Sequence, residues 1–438
     1  MATTLLRKSD AQSVRPPSGE GGYYLAPLCR STIYSSEPPL PRHAILITLD
    51  HLAASLLGAY GQYRVRTPAL DQLASRAAVF HNALCHAVPD TSPTEDWEAT
   101  PLAQLLWSEC ESAGVPIQIV KPSPDQPARE WVRDGVDAIR SQLASDRPGL
   151  TWIQGIGIPD PWVPDHSGWD VEVARLLGTT WEELLADESP EMTPERAIQE
   201  LVAEGHFSRR SRPAEPDRVV NRLSLALYTA CVEKLDERLG RLIREFQRHA
   251  HSDSLLLIAG LLGDDLPREW PVQRPVELHT ELVRVPLIVQ TGAGHAGGST
   301  VLELVQTTDI AETLSIWLFP ESRLSLRERP PFCGAKGDSP LVDLLAVADK
   351  TDPGRPDIQV TNSSGETLLR TPEAQLVTRP AAPAQDETDP IEWLTLKPED
   401  AWDLLNVADQ HHDLVETLRQ LMLFSKGGAG SMESGRPS

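Results

Sequence analysis

The stretch His43-Ala44-Ile45-Leu46-Ile47-Thr48-Leu49-Asp50-His51 decides the fold. From Ala44 to Leu49 it is almost continuously apolar, which suits a parallel strand buried on both faces. A second run, Leu255-Leu256-Leu257-Ile258-Ala259-Gly260, has the same character but continues into Leu261-Leu262-Gly263. In an open α/β sheet, ligands gather outside the carboxyl ends of the strands, so the residues after each run bear directly on function. The first run delivers an acid and an imidazole there. The second delivers two leucines.

Outward from these runs the chain alternates helix and strand. Thr67-Pro68-Ala69-Leu70 opens a helix, with Thr67 as its expected N-cap and Pro68 at the first helical position. Val79–Ala83 is a short extended segment, Leu102–Ala113 a helix stopped by Gly114, and Val115–Val120 a strand. Trp131–Leu143 reads as a helix and Leu150–Ile156 as a strand. Asn221–Gln247 is the strongest helix, because Leu223, Leu227, Cys231, Leu235, Leu239 and Leu242 recur at spacings of three or four. It leads into the strand Ser254–Ile258, followed by a strand at Val285–Val289 and a helix start at Thr308. Such a rhythm predicts an α/β fold, a mostly parallel sheet flanked by helices.

The expected organisation is an N-terminal arm over 1–41, an α/β core over 42–354 with an irregular insertion near 160–217, a small C-terminal α+β subdomain over 355–425, and a flexible tail over 426–438. The arm and tail follow from Pro, Ser and Gly enrichment, with Tyr23, Tyr24 and Tyr34 as anchors for part of the arm. Trp162, Trp169 and Trp181 in the insertion either line a groove or pack its core.

The 40 basic against 63 acidic residues leave a net charge near −23, which argues against nucleic acid or an anionic membrane as partner. The one tight basic cluster, Arg209-Arg210-Ser211-Arg212, is too short to outweigh it. Five scattered cysteines with no CxxC pair fit thiols in a reducing compartment, and no apolar stretch reaches bilayer-spanning length; cytoplasmic residence is the expectation.

Several stretches, in order, resemble the sulfatase branch of the alkaline phosphatase superfamily over about residues 42–425. Ile45–Asp50 is similar to that family's first strand and first metal-binding aspartate. Leu57-Gly58-Ala59-Tyr60-Gly61, then Thr67–Ala74, resemble its "LGCYG" and "TPNLDRLA" segments, and Phe80-His81-Asn82-Ala83 resembles "FTNAY". Tyr228–Leu239 looks like the long helix before the second metal strand, and Glu281–Val289 is similar to "ESVRVPLIV". Val305–Ile310 resembles "VSLVDL", and Ala401-Trp402-Asp403-Leu404 resembles "ELYDL".

The resemblance implies ester hydrolysis by a metal-activated nucleophile, and here the sequence departs from it. Asp50 stands at a ligand position, but His51 replaces the usual second aspartate and is a poor ligand for calcium. Leu261 and Leu262 stand where "SDHG" or "SDNG" supplies two ligands, so these ligand positions are lost. Asp264 and Asp265 follow and are either recruited to a remodelled site or part of a solvated loop. In the nucleophile segment, alignment on Pro93 puts Thr91 at the nucleophile and Glu95 at the position of an arginine. Pro159 replaces the histidine of "HxPF/W", and Lys121 is what remains of "GKWH".

His86, His279, His295 and the pair His411-His412 show no ligand spacing and read as packed or solvated imidazoles. Two readings follow. In the first, the chain has lost hydrolysis, needs no cofactor, and serves a structural, regulatory or binding role through a protein partner or self-association. In the alternative it is a divergent phosphate- or sulfate-ester hydrolase, with Thr91 as nucleophile and a divalent metal such as Zn, Ca or Mg held by Asp50, His51 and Asp264 or Asp265. A third reading keeps the old pocket for a non-anionic ligand, with a cleft near Trp162 as its sign.

Overall fold

Strand β1 (His43–His51) lies at the centre of a seven-stranded sheet, and every residue from His43 to Leu49 is buried. The computed structural model describes residues 42–90, 97–123, 128–184, 193–207, 218–266, 275–292, 298–320, 341–381 and 390–426. The chain divides into two compact units, Met1–Pro39 and Leu40–Ser438, and all described residues belong to the second. The expectations for the arm, the tail, Arg209–Arg212 and His295 fall outside the described residues.

In chain order the strands of the large sheet are β1, β2 (Ala78–Leu84), β3 (Ile117–Val120), β4 (Gly149–Gly157), β5 (Ser254–Gly260), β6 (Leu287–Thr291) and β7 (Ser299–Gln306). Across the sheet they run β3-β4-β1-β5-β6-β2-β7. β1 pairs in parallel with both β4 and β5, Ile47 facing Ile153 on one side and Ile258 on the other. Only β6 is antiparallel to its neighbours. The carboxyl ends of β4, β1 and β5 therefore meet at one edge.

Alternate side chains of β1 serve two apolar layers, as the two-residue strand period dictates. Ile45, Ile47 and Leu49 pack under α1 (Pro68–Ala74), α3 (Ala128–Leu143) and α7 (Arg218–His249). Ala44 and Leu46 face the layer that includes α2 (Pro101–Ser112), α9 (Asp309–Leu318) and α10 (Leu344–Ala348). The insertion is more regular than its sequence suggests: it holds α4 (Trp169–Leu177), α5 (Trp181–Leu184) and α6 (Pro194–Ala203). Trp162, Trp169 and Trp181 are all buried, Trp169 and Trp181 edge to face at 5.8 Å. They pack into the apolar core beneath the insertion.

A second, antiparallel sheet, β11-β10-β9-β8, is built from β8 (Ile358–Thr361), β9 (Thr367–Arg370), β10 (Ala374–Arg379) and β11 (Ile391–Leu396). Helix α11 (His412–Lys426) covers it through Val415, Leu418 and Met422, and His411 and His412 at its start are exposed. The fold class expected from the sequence is thus the fold observed. A buried pair joins this layer to the large sheet: the Arg355 guanidinium lies 2.7 Å from the Asp309 carboxylate at the start of α9.

One local expectation fails. Thr67 does not cap α1 with its side chain. Its hydroxyl accepts from the Gly58 amide at 2.9 Å and donates to Asp71 at 3.1 Å. Asp236 of α7 takes over the cap, accepting from the amides of Ala69 and Leu70 at 3.0 and 2.9 Å.

Candidate functional site

At the shared carboxyl edge the strand ends are joined by backbone hydrogen bonds. The Leu261 amide donates to the Leu49 carbonyl at 2.8 Å, and the Leu52 amide donates to the Leu262 carbonyl at 2.9 Å. The Ile158 amide, beyond β4, donates to the His51 carbonyl at 2.9 Å. Two glycines permit this closeness. A Cβ on Gly157, whose φ is +73°, would fall 2.0 Å from the His51 carbonyl oxygen, and one on Gly263 would fall 2.0 Å from that of Glu281. Leu261 and Leu262 are buried within the apolar layer that contains Leu257, Ala259, Val283 and Val285. The structure brings the Asp50-His51 and Leu261-Leu262 segments side by side.

The acids nearest this edge have other partners. Asp264 is buried, and its carboxylate accepts from the Tyr228 hydroxyl at 2.7 Å. Tyr228 in turn accepts from the Ala53 amide at 3.3 Å and takes the edge of Trp162. The resulting chain links the loop after β1, helix α7 and the loop after β5. Asp265 points outward, 3.3 Å from His279. The His51 Nδ1 faces the Gly263 carbonyl at 3.4 Å, a long contact in which the ring nitrogen must be the donor. Lys121 is exposed and paired with Glu98 at 2.9 Å, and Glu98 also accepts from Gln154. Thr91 and Glu95 lie outside the described residues.

No family profile and no curated protein sequence matches this chain. Solved structures do. The phosphonate monoester hydrolase of Agrobacterium radiobacter superposes with a TM-score of 0.60 at 14% identity, over 88% of this chain and 95% of its own. A Bacteroides fragilis protein described as a sulfatase gives 0.58 at 14% identity, over 90% and 97%. A 2-O GAG sulfatase gives 0.57 at 14% identity, over 91% and 95%. The fold is that of the sulfatases.

The residues of this sulfatase-fold chain can be tested against a metal by their donors. An oxygen-loving divalent ion needs about six ligands, mostly carboxylate oxygens converging from several strand ends. Among the described residues no three His, Cys, Asp or Glu side chains converge in a way that would hold an ion. Asp264 is engaged with Tyr228, Asp265 faces His279, and the leucines offer no donor atom. The donor set described does not fit a metal centre.

A cavity of about 200 Å³ opens beside this edge, at the end of β4. Trp131, Ile156, Pro159 and Val163 make its apolar wall, and Lys234 and Arg238 of α7 bring two cations to it. Both are paired, Lys234 with Glu237 at 2.7 Å and Arg238 with Asp165. Trp162, whose vicinity was expected to hold a cleft, is buried, and its neighbour Val163 lines this cavity. Sequence reasoning did not single out Tyr228 for a role at the site or Trp131 for the cavity wall. A helix of regular apolar spacing hides both, since each reads as an ordinary core position.

Proposed function

We propose that this chain is a sulfatase-fold protein that does not hydrolyse esters and acts by binding. The observation that carries the reading is the closed strand edge. Where the sulfatase pattern supplies a carboxylate and an amide or imidazole, Leu261 and Leu262 are packed into the core and hydrogen-bonded through their backbones to the β1 segment. Hydrolysis of an anionic ester relies on cations or a metal placed where charge develops. Here Lys121 is neutralised by Glu98, and the nearest buried acid is tied to a tyrosine. The binding role falls to the cavity at the end of β4, whose apolar wall and paired cations suit a small, largely apolar ligand.

The test combines metal analysis with hydrolysis assays on the full chain. The protein is incubated with Zn, Ca, Mg or Mn, desalted, and assayed on 4-nitrophenyl sulfate, 4-nitrophenyl phosphate and a phenylphosphonate ester beside Thr91→Ala and Asp50→Ala. The expected outcome is no stoichiometric ion and the same background rate in all three proteins. A retained ion that disappears with Asp50→Ala, together with turnover that disappears with Thr91→Ala, would establish the divergent hydrolase instead.

A further inference from the structure

The second cavity, of about 80 Å³, lies between the large sheet and the C-terminal sheet. It is independent of the positions discussed for ester hydrolysis. Asn82 of β2, Thr280 of the short helix α8 (Thr280–Val283) and Arg284 approach from one side; Arg370, Gln375 and Lys397 approach from the other. On the C-terminal sheet Arg370 and Gln375 are direct cross-strand partners, so their side chains share one face.

What distinguishes this cavity is the state of its donors. Arg370 is 8% exposed, and its Nη1 is buried with no hydrogen-bond partner among the described residues. Gln375 is 1% exposed; its amide oxygen accepts from Thr280, while its Nε2 is likewise unpartnered. Among the described residues the Arg284 guanidinium, partly buried on the opposite wall, forms no ion pair, although the charges of Glu281 and Asp403 reach it. Lys397 is satisfied: it pairs with Asp403, which also accepts from the amide of Thr280 and from Thr395. Asp403 is thus committed to the lysine, and the charges of Asp403, Glu281 and Glu373 reach the two arginines without a direct bond to either guanidinium among the described residues.

Buried donors without partners are rare in folded proteins, and buried charge without a counter-charge is costly. Water in the cavity would satisfy the donors but leave the charge. An oxyanion would do both, because guanidinium groups offer paired N–H donors matched to phosphate, sulfate or carboxylate. Burial already pushes Arg370 down to about 10, and an anion between the two arginines would reverse that push. We propose that this cavity binds one oxyanionic group of the phosphate or sulfate class, clamped between Arg284 and Arg370 and oriented by the Gln375 amide.

The experiment titrates the full chain with sodium phosphate and with sodium sulfate by calorimetry, against sodium chloride at matched ionic strength. The expected result is saturable binding at one site, weakened about tenfold or more in Arg284→Gln and in Arg370→Met. Arg284 is the less buried of the two, and circular dichroism checks the fold of each variant. If Arg370→Met does not fold, Arg284→Gln alone decides. Phenyl phosphate provides a further arm: affinity equal to that of inorganic phosphate points to the terminal group of a larger ligand, and loss of affinity points to the free ion; either supports the site. Heats no larger than those with chloride, or affinity unchanged in Arg284→Gln, would overturn it.

Discussion

At the scale of single residues, the clearest consequence belongs to His43, at the amino end of β1. It is fully buried, and its Nδ1 faces the Gln142 amide at 2.8 Å, which makes that nitrogen the acceptor of a neutral ring. Burial, then the neighbouring His251, push its pKa from 6.5 down to about 4. The unfolded chain therefore binds a proton that the folded chain refuses between those two values. Stability from this group is present above about pH 6.5 and is lost as pH falls toward 4, by ~3 kcal/mol in all. Urea unfolding at pH 7 and pH 4.5 measures the loss, and His43→Asn should flatten that part of the profile. At this scale the sequence was informative about some contacts and silent about others. Asp50-His51 and Leu261-Leu262 were read as neighbours because both follow strands of one parallel sheet. The Tyr228–Asp264 bond spans 36 residues between a helix and a loop, and neither segment carries a local mark of the other. The facing of Arg284 and Arg370 is equally invisible, since it depends on how a second sheet packs.

At the scale of elements, α1 shows how a short helix is held from a distance. Seven residues are too few to persist alone, and the amides of its first turn are satisfied by Asp236 across the α1–α7 contact. Asp236→Ala should cost about 1–3 kcal/mol, the range for losing hydrogen bonds to a charged group, and Asp236→Asn should recover part of it. Thermal unfolding of the two variants checks this, with α1 expected to lose amide-exchange protection first. The helix itself was legible from Pro68 and the spacing of Leu70 and Leu73, but its cap was not. Thr67 has the right chemistry for a cap and spends its hydroxyl on Gly58 and Asp71 instead. Strand β7 escaped the reading for another reason. It is an edge strand whose Leu302 is exposed while Leu304 and Val305 are both buried, and its pairing with β2 is interrupted between Phe80 and Asn82. That breaks the alternation by which such strands are recognised.

At the scale of the whole molecule, the mostly parallel sheet and its flanking helices followed from the strand and helix rhythm, whereas the strand order did not. No described helix is long and apolar enough to cross a membrane. What could not be read was how completely the carboxyl edge is closed. Leu261 and Leu262 are each 4% exposed within one continuous core. Introducing the sulfatase pattern there, by Leu261→Asp with Leu262→Asn, places a carboxylate and an amide where no described cation waits to receive them. The expected result is a loss of at least about 3 kcal/mol in urea unfolding and no gain of metal affinity by calorimetry. The backbone bonds between the strand ends give this edge a direction in sequence space. A polar side chain at either leucine buries an unpaired group before any ligand can offset it, so the first substitution at this edge lowers stability whatever the second one adds.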